Sequence, residues 1–226
     1  MNNKQVTGQT DEHIHWFSPN VGIHKEVVQP WEQLCQAANK QGFELTIASG
    51  FRSFDRQLSI WNRKFVGELT IKDIDNNHIN IAQLSEKEII RAILTFSALP
   101  GASRHHWGTD IDFYDKNLLK EQQSLMLEPW EYQAGGPFYS LSQWLKNNAK
   151  SFGFYFPYDV YRGGIAAEPW HLSYFPQAKL FEKNINHSLL QQCLSTVEIS
   201  GKTSLIAMLD DIILRYIKNI GEIDNG

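Results

Sequence analysis

Two short segments concentrate side chains that bind metal ions, and they constrain the fold more than any other feature of the sequence. The first spans residues 103–112 and reads SRHHWGTDID, and the second spans residues 168–171 and reads EPWH. A catalytic zinc site takes three ligands from His, Asp, Glu or Cys side chains and leaves a fourth position open. The two segments together supply two histidines, a carboxylate and a spare glutamate for general-base work. Metal-assisted hydrolysis therefore requires a fold that brings these distant segments together.

Alternation of apolar and polar residues predicts a strand over 109–114. Side chains on a strand alternate between its faces, so Asp110 and Asp112 share one face while Ile111 points into the core. A second strand is predicted over 168–174. There, Glu168 and His171 are three residues apart and would lie on opposite faces of a straight strand, and Pro169 argues against a helix. A shared site therefore needs a bend or bulge at this point.

The eight histidines are not equally suitable as metal ligands. Gly108 separates the adjacent histidines from the strand, which allows His105 to turn back toward the aspartates. We predict that His106 is not a ligand, because it directly neighbours a better candidate. Lone histidines usually make ordinary hydrogen bonds or lie on the surface, and we expect this of His13, His15, His24, His78 and His187. On spacing alone, a zinc site and a set of unrelated polar side chains remain equally open.

The remaining pattern predicts an α+β fold. Helices are expected over 31–41, from an N-cap at Ser53 to about residue 65, and over 86–96 and 140–150, with a further strand over 43–47. Residues 1–30 lack periodicity and are predicted to form an irregular lead-in. A stripe of apolar residues predicts one long helix over 205–220. We therefore expect a catalytic domain over residues 1–175 and a helical C-terminal accessory segment over residues 176–226.

Composition excludes several classes of protein. The net charge is −4 and the pI is about 6.1, whereas a nucleic-acid-binding domain normally has a basic excess. The apolar stretches are much shorter than the roughly 20 residues of a membrane span, and two cysteines are too few for a disulfide framework. The polar N-terminus lacks the apolar core of a signal peptide. We therefore expect a cytoplasmic protein, or one of the cell envelope if the N-terminus is incomplete.

Three motifs resemble those of a known enzyme family. The pattern Ser103-x-His105-x-x-Gly108-x-x-x-Asp112, followed by Glu168-x-Trp170-His171, resembles the paired signature of the zinc D-alanyl-D-alanine carboxypeptidases of the VanY and VanX type, peptidase family M15. Upstream, SGFRS at residues 49–53, with a glutamine at position 57, resembles the strand-to-helix turn of that family. The resemblance implies a small antiparallel sheet that carries a Zn²⁺ site and is flanked by helices, as in hedgehog-like and DD-peptidase-like folds.

The resemblance also implies a role for each matching residue. His105, Asp112 and His171 would be the zinc ligands. Glu168 would be the general base, which takes a proton from water and passes it to the leaving amine.

Other residues carry expectations from the same resemblance. Arg52 would lie near the scissile carbonyl or the substrate carboxylate, because its planar fork suits an oxyanion. Gln57 and Ser103 would form hydrogen bonds to the substrate, and Trp170 would lie beside the site. The family often has a small residue where this sequence has Asp110. Asp110 could then compete with Asp112 as a ligand, or orient a ligand histidine from behind.

The leading functional hypothesis is a zinc carboxypeptidase that removes a C-terminal D-alanine from peptidoglycan peptides or muropeptides. An L,D-carboxypeptidase or a peptidoglycan endopeptidase on the same fold is the nearest alternative, since such enzymes share the zinc motifs. A non-catalytic binding module with a structural zinc ion is a third, although a structural site needs no general base. We expect the C-terminal helix to pack against the main domain, and favour a monomer over a dimer formed through it.

Overall fold

Four short antiparallel strands form the sheet on which the two metal-binding segments lie. The computed structural model describes residues 1–119 and 124–222. Their bounds are Leu45–Ser49 for β3, Asp110–Asp115 for β4, Phe154–Tyr155 for β5 and His171–Tyr174 for β6. The order of these strands across the sheet is β3-β4-β6-β5. Strand β4 therefore lies at the centre of the sheet and pairs with β3 on one side and with β6 on the other.

Helices cover the sheet and extend beyond it. They are α1 (Asn3–Val6), α2 (Val28–Asn39), α3 (Phe54–Phe65), α4 (Glu86–Leu94), α5 (Pro129–Tyr132), α6 (Tyr139–Asn148), α7 (Phe175–Glu182), α8 (His187–Ser195), α9 (Lys202–Ala207) and α10 (Leu209–Ile212). Helix α3 begins where the sequence predicted, because the Ser53 side chain caps it by accepting a hydrogen bond from the Arg56 backbone N–H. The α+β prediction, with a small antiparallel sheet flanked by helices, is confirmed.

Alternation along β4 divides its side chains between two environments. Ile111 and Phe113 are fully buried in an apolar cluster that also includes Leu34 of α2 and Leu145 of α6. Asp110 and Asp112 point to the other face of the sheet, as the period of two requires. One face of the sheet therefore packs against helices, and the opposite face carries the acidic side chains.

The C-terminal helices pack into a second apolar cluster. This cluster joins Trp61 of α3 and Ile90 of α4 to Leu205, Leu209 and Ile212. The buried stripe was predicted, but the single long helix over 205–220 was wrong. Helix α9 ends at Ala207, and α10 is followed by a π-helical turn over Ile213–Ile217. Apolar periodicity identifies the buried side chains, but it does not detect a change in backbone hydrogen bonding.

Two other boundaries differ from the sequence predictions. The lead-in over residues 1–30 is not irregular, because β1 (Ile14–Ser18) and β2 (Val21–His24) form an antiparallel hairpin that precedes α2. The strand predicted over 168–174 begins only at His171, after a turn. Among the described residues, every helix is too short or too polar to cross a membrane.

Candidate metal centre

Strand pairing and one tight turn bring the two motif segments together. Asp112 of β4 pairs in register with His171, the first residue of β6. His105 lies in a 3-10 turn over Arg104–Trp107 that precedes β4. Within the described residues, His105, Asp112 and His171 form one group that could hold a metal ion, with ligand atoms all within 4.8 Å of one another. All three side chains are buried.

Glycines allow the turn that carries His105 to approach the sheet. Gly108 ends this turn in the left-handed region, with φ of 67°, and a Cβ there would lie 2.7 Å from the backbone nitrogen of His24. Gly50 faces a similar restriction, because a Cβ would lie 2.3 Å from the carbonyl oxygen of Gly22. No larger residue fits either position without a shift of the backbone.

Hydrogen bonds behind the two rings decide which ring nitrogens face the candidate site. The Nδ1–H of His105 donates to the carbonyl oxygen of Gly50 at 2.8 Å, because a carbonyl can only accept. Its Nε2 therefore carries the lone pair and lies 3.4 Å from Asp112 Oδ2. The Nε2–H of His171 donates to Asp110 Oδ1 at 2.9 Å, which turns Nδ1 toward Asp112 Oδ1, 3.2 Å away. Such partners fix ring orientation in metal-ligating histidines.

Two atoms of this group show that the arrangement fits a cation. Asp112 Oδ1 and His171 Nδ1 are buried and have no hydrogen-bond partner among the described residues. Buried polar atoms normally form hydrogen bonds. Two facing atoms that lack one, and that can each donate an electron pair to a cation, fit a metal ion. Two imidazole nitrogens and one carboxylate are a ligand set typical of catalytic zinc.

The pKa values of the two histidine rings are shifted in opposite directions. Burial lowers the pKa of His105 to about 4, although the charge of Asp112 opposes the effect. Burial would also lower the pKa of His171, but the neighbouring carboxylates of Asp110, Asp112 and Glu168 outweigh it and hold that pKa well above its ordinary value. Without a metal ion, a proton on His171 compensates the surrounding carboxylates.

A turn places the predicted base beside the ligands. The His171 backbone N–H donates to the Glu168 carbonyl at 3.1 Å, so these residues close a turn rather than continue a strand. The bend that the sequence required is therefore present, and Glu168 Oε2 lies 3.3 Å from His171 Nδ1. Burial raises the pKa of Glu168, and the opposing charge of His171 does not cancel the rise. A carboxylate with a raised pKa suits proton transfer near neutral pH.

Asp110 does not compete with Asp112 for the candidate site. Its Oδ1 accepts hydrogen bonds from Arg104 Nε at 2.7 Å and from His171. Its Oδ2 accepts from the hydroxyls of Thr109 at 2.6 Å and Ser173 at 3.0 Å. Four donors saturate a carboxylate, so of the two roles considered for Asp110, the structure favours the one that orients His171.

A cavity of about 260 Å³ adjoins the ligand group. Ser103, Arg52 and Trp170 line it together with the ligands and Glu168. Gln57 does not, because it is fully buried and both ends of its amide are engaged. Its oxygen accepts from Arg52 Nη1 at 3.0 Å, and its nitrogen donates to the Ala98 carbonyl at 2.7 Å. The expected contact of Gln57 with substrate is therefore corrected to a role in holding Arg52.

The other histidines lie outside the ligand group. His106 Nε2 accepts from the Gly101 backbone N–H at 3.0 Å, and its Nδ1–H donates to the Arg52 carbonyl at 2.6 Å. Both ring nitrogens are thus engaged, and the prediction that His106 is not a ligand agrees with this geometry. His13 packs between the rings of Phe51 and Phe181.

Sequence reasoning missed two residues of the site. Arg104 is buried beside the cavity, where it pairs with Asp110 and lies over the Trp107 ring. A carboxylate predicted on a strand amid apolar residues needs a counter-charge, and this signal could have identified Arg104. Tyr158 also lines the cavity, and its ring centroid lies 4.8 Å from that of His171. No sequence motif marks Tyr158.

Comparisons with known proteins identify the family that the chain matches. The sequence model of a family described as VanY, D-alanyl-D-alanine carboxypeptidase, matches residues 20–201. An uncharacterized Haemophilus influenzae protein is 41% identical over 125 residues, which cover 54% of this chain and 95% of that protein.

Solved structures show a similar fold. A structure of VanYB in complex with D-alanine-D-alanine matches with a TM-score of 0.54 at 20% identity, over 84% of this chain and 92% of the other. The LdcB LD-carboxypeptidase matches with a TM-score of 0.51 at 24% identity, over 75% of this chain and 68% of the other. At these identities, the two structures bear on the fold alone.

Proposed function

Because the chain belongs to the VanY family of D-alanyl-D-alanine carboxypeptidases and is a metallopeptidase, we propose that it uses zinc to remove a C-terminal D-alanine from peptidoglycan-derived peptides. His105, Asp112 and His171 would hold the ion. Glu168 would act as the general base.

One observation carries this proposal. Two histidine rings, each held from behind by an acceptor, present their free nitrogens to the same carboxylate, with a buried glutamate 3.3 Å from one of them. A structural zinc site is closed by four protein ligands and needs no base. The described group offers three ligands and a neighbouring glutamate on a cavity wall, which supports catalysis over a binding module.

Each residue of the site has a distinct task in this proposal. A bound zinc ion supplies Lewis acidity, which lowers the pKa of water toward 7 and polarises a carbonyl. Glu168 accepts a proton from the attacking water and delivers it to the departing amine, which its raised pKa favours. Arg52 lines the cavity, where its guanidinium would stabilise negative charge on the scissile carbonyl or bind the substrate carboxylate. Gln57 holds that guanidinium in place.

The bond that is cleaved can be determined directly. Zinc-loaded protein should be incubated with a pentapeptide that ends in D-alanyl-D-alanine, a tetrapeptide that ends in a single D-alanine, and an intact cross-linked peptide. Mass spectrometry of the products should show D-alanine released from the pentapeptide. Cleavage of only the tetrapeptide would favour an L,D-carboxypeptidase, and cleavage of only the cross-link an endopeptidase. Failure to cleave any of the three would refute the proposal.

A further inference from the structure

One loop carries both the candidate base and part of the cavity wall. The loop over residues 157–168 lies between β5 and β6, and its residues Tyr158, Ile165 and Glu168 all line the cavity beside the ligand group. No residue of this loop belongs to a helix or a strand. The position of the Glu168 carboxylate therefore depends on the segments that contact the loop.

The segment over residues 213–221, which contains the π-helical turn, restrains the backbone of this loop. Three donors of the segment form hydrogen bonds to three carbonyl oxygens of the loop. The pairs are Arg215 Nε to Gly163, Asn219 Nδ2 to Arg162 at 2.7 Å, and the Gly221 N–H to Pro157 at 2.7 Å. Carbonyl groups outside helices and strands need such partners when they are removed from water, so these bonds hold the loop from residue 157 to residue 163.

Close packing adds to these hydrogen bonds. A Cβ at Gly164 would lie 2.0 Å from the carbonyl oxygen of Arg215, so no larger residue fits there unless one backbone shifts. Tyr158 and Ile165 line both the cavity beside the ligand group and a small void that Tyr216 also lines. These two side chains therefore lie between the 213–221 segment and the cavity.

The family match does not account for this contact, because it ends at residue 201, before the segment begins. We propose that Arg215 and Asn219 are positioning residues, which hold the loop so that the Glu168 carboxylate stays beside the metal ligands. Both lie outside the set of residues that line the cavity, so they act through the loop. The inference rests on the proposed function for the role of Glu168, and it goes beyond that function by giving a task to the 213–221 segment.

Hydrogen exchange of metal-free protein tests the contact without any hydrolysis. The Ala166 and Glu168 amides report on the loop, because each donates a hydrogen bond at 2.9 Å, and the amides of β4 report on the sheet. Arg215→Met and Asn219→Asp each remove one donor to the loop. Each should speed exchange at both loop amides about fivefold, the effect of one ordinary hydrogen bond on local opening. Exchange in β4, read by mass spectrometry in the same samples, should stay at the wild-type rate.

Kinetics test whether the contact also positions the base. Gly164→Ala puts a methyl group against the Arg215 carbonyl oxygen and should displace the loop. Because a misplacement of about 1 Å can cost about 100-fold in rate, kcat for D-alanine release should fall at least about tenfold. KM and zinc content should change little, since Arg52 and the metal ligands lie on other segments. The double variant Arg215→Met/Asn219→Asp adds no atom to the contact and should also lower kcat, which keeps the test available if Gly164→Ala does not fold.

Two control variants alter the same segments but leave the contact intact. Gly163→Asn adds a side chain at φ of 86°, a conformation that Asn tolerates, where a Cβ would meet no described atom within 4 Å. Lys218→Met removes an exposed charge from the 213–221 segment. Both should keep wild-type exchange and kcat, and a loss in either control equal to that in Gly164→Ala would overturn the inference.

The two assays also separate this inference from the proposed function. If the wild type releases no D-alanine, the proposed function fails, and exchange alone decides whether the 213–221 segment holds the loop. If the wild type is active, the inference is refuted by unchanged exchange in Arg215→Met and Asn219→Asp, by an equal rise of exchange in β4, or by an unchanged kcat in folded Gly164→Ala. The proposed function stands in each of these three cases.

Discussion

Asp110, which accepts a hydrogen bond from His171, forms a buried ion pair with Arg104. The energy of this ion pair can be measured, and it tests whether Arg104 holds Asp110 in place behind His171. The side chains of Arg104 and Asp110 are 3% and 0% exposed, and Arg104 Nε lies 2.7 Å from Asp110 Oδ1. Removal of one partner leaves the other charge buried and unpaired, which costs about 3–5 kcal/mol. Arg104→Met and Asp110→Ala should therefore each lower the free energy of unfolding by about 3 kcal/mol or more. The double variant removes both charges and should lose less than the sum of the single losses.

Urea unfolding should be measured on metal-free protein, because bound zinc would add its own stabilisation. A double-mutant cycle then gives the coupling energy between the two residues, which we expect to be at least about 2 kcal/mol. If the losses of the two single variants simply add, Arg104 and Asp110 do not act as a pair, and the argument from buried charge is wrong.

The same aspartate should control metal affinity through His171. In Asp110→Ala, the Nε2–H of His171 loses its acceptor, and the dissociation constant for zinc should rise about 10–100-fold. Competition with a chromophoric chelator measures this constant. Ser173→Ala is the matched control, because Ser173 donates to the same carboxylate at 3.0 Å without contacting Nε2. An unchanged affinity in Asp110→Ala would refute the proposed orientation of the ring.

Three further predictions test other parts of the structure. Below the raised pKa of His171, zinc affinity should increase about tenfold for each unit of rising pH, because the metal must displace one proton. An isothermal titration series from pH 6 to 8 that shows no pH dependence would contradict this. Gln57→Ala should lower kcat/KM about tenfold while zinc affinity stays unchanged, since Gln57 holds Arg52 through one hydrogen bond; a parallel loss of zinc would place its role elsewhere. Leu209→Ala should lower the free energy of unfolding in urea by about 2–5 kcal/mol, because Leu209 is fully buried. Leu214→Ala, at a residue that is 67% exposed, should lower it little. Similar losses in the two variants would argue against the packing of the C-terminal helices.

Local patterns predicted most of the fold. Ser53 as a cap and apolar spacing located α3, and alternation located β4. The β1–β2 hairpin was missed because every residue of β1 after Ile14 is exposed, including Trp16 and Phe17, and because β2 is only four residues long. A strand without a buried face has no period-two signal to detect.

Spacing alone could not identify the candidate site. Spacing identified two candidate segments, but it did not predict where the Glu168 carboxylate lies. Only the turn before β6 brings that carboxylate close to His171. The saturated carboxylate of Asp110 and the placement of Gln57 behind Arg52 depend on contacts between distant segments. Contacts between distant segments produce no periodic pattern in the sequence.

The central claim is that Glu168 acts as the base of a zinc site formed by His105, Asp112 and His171. Its most direct test is a single experiment on Glu168→Ala that measures zinc content and release of D-alanine together. We predict about one equivalent of zinc per chain, as in the wild type, with no detectable D-alanine. Turnover near that of the wild type would contradict the claim, and so would loss of the metal together with activity.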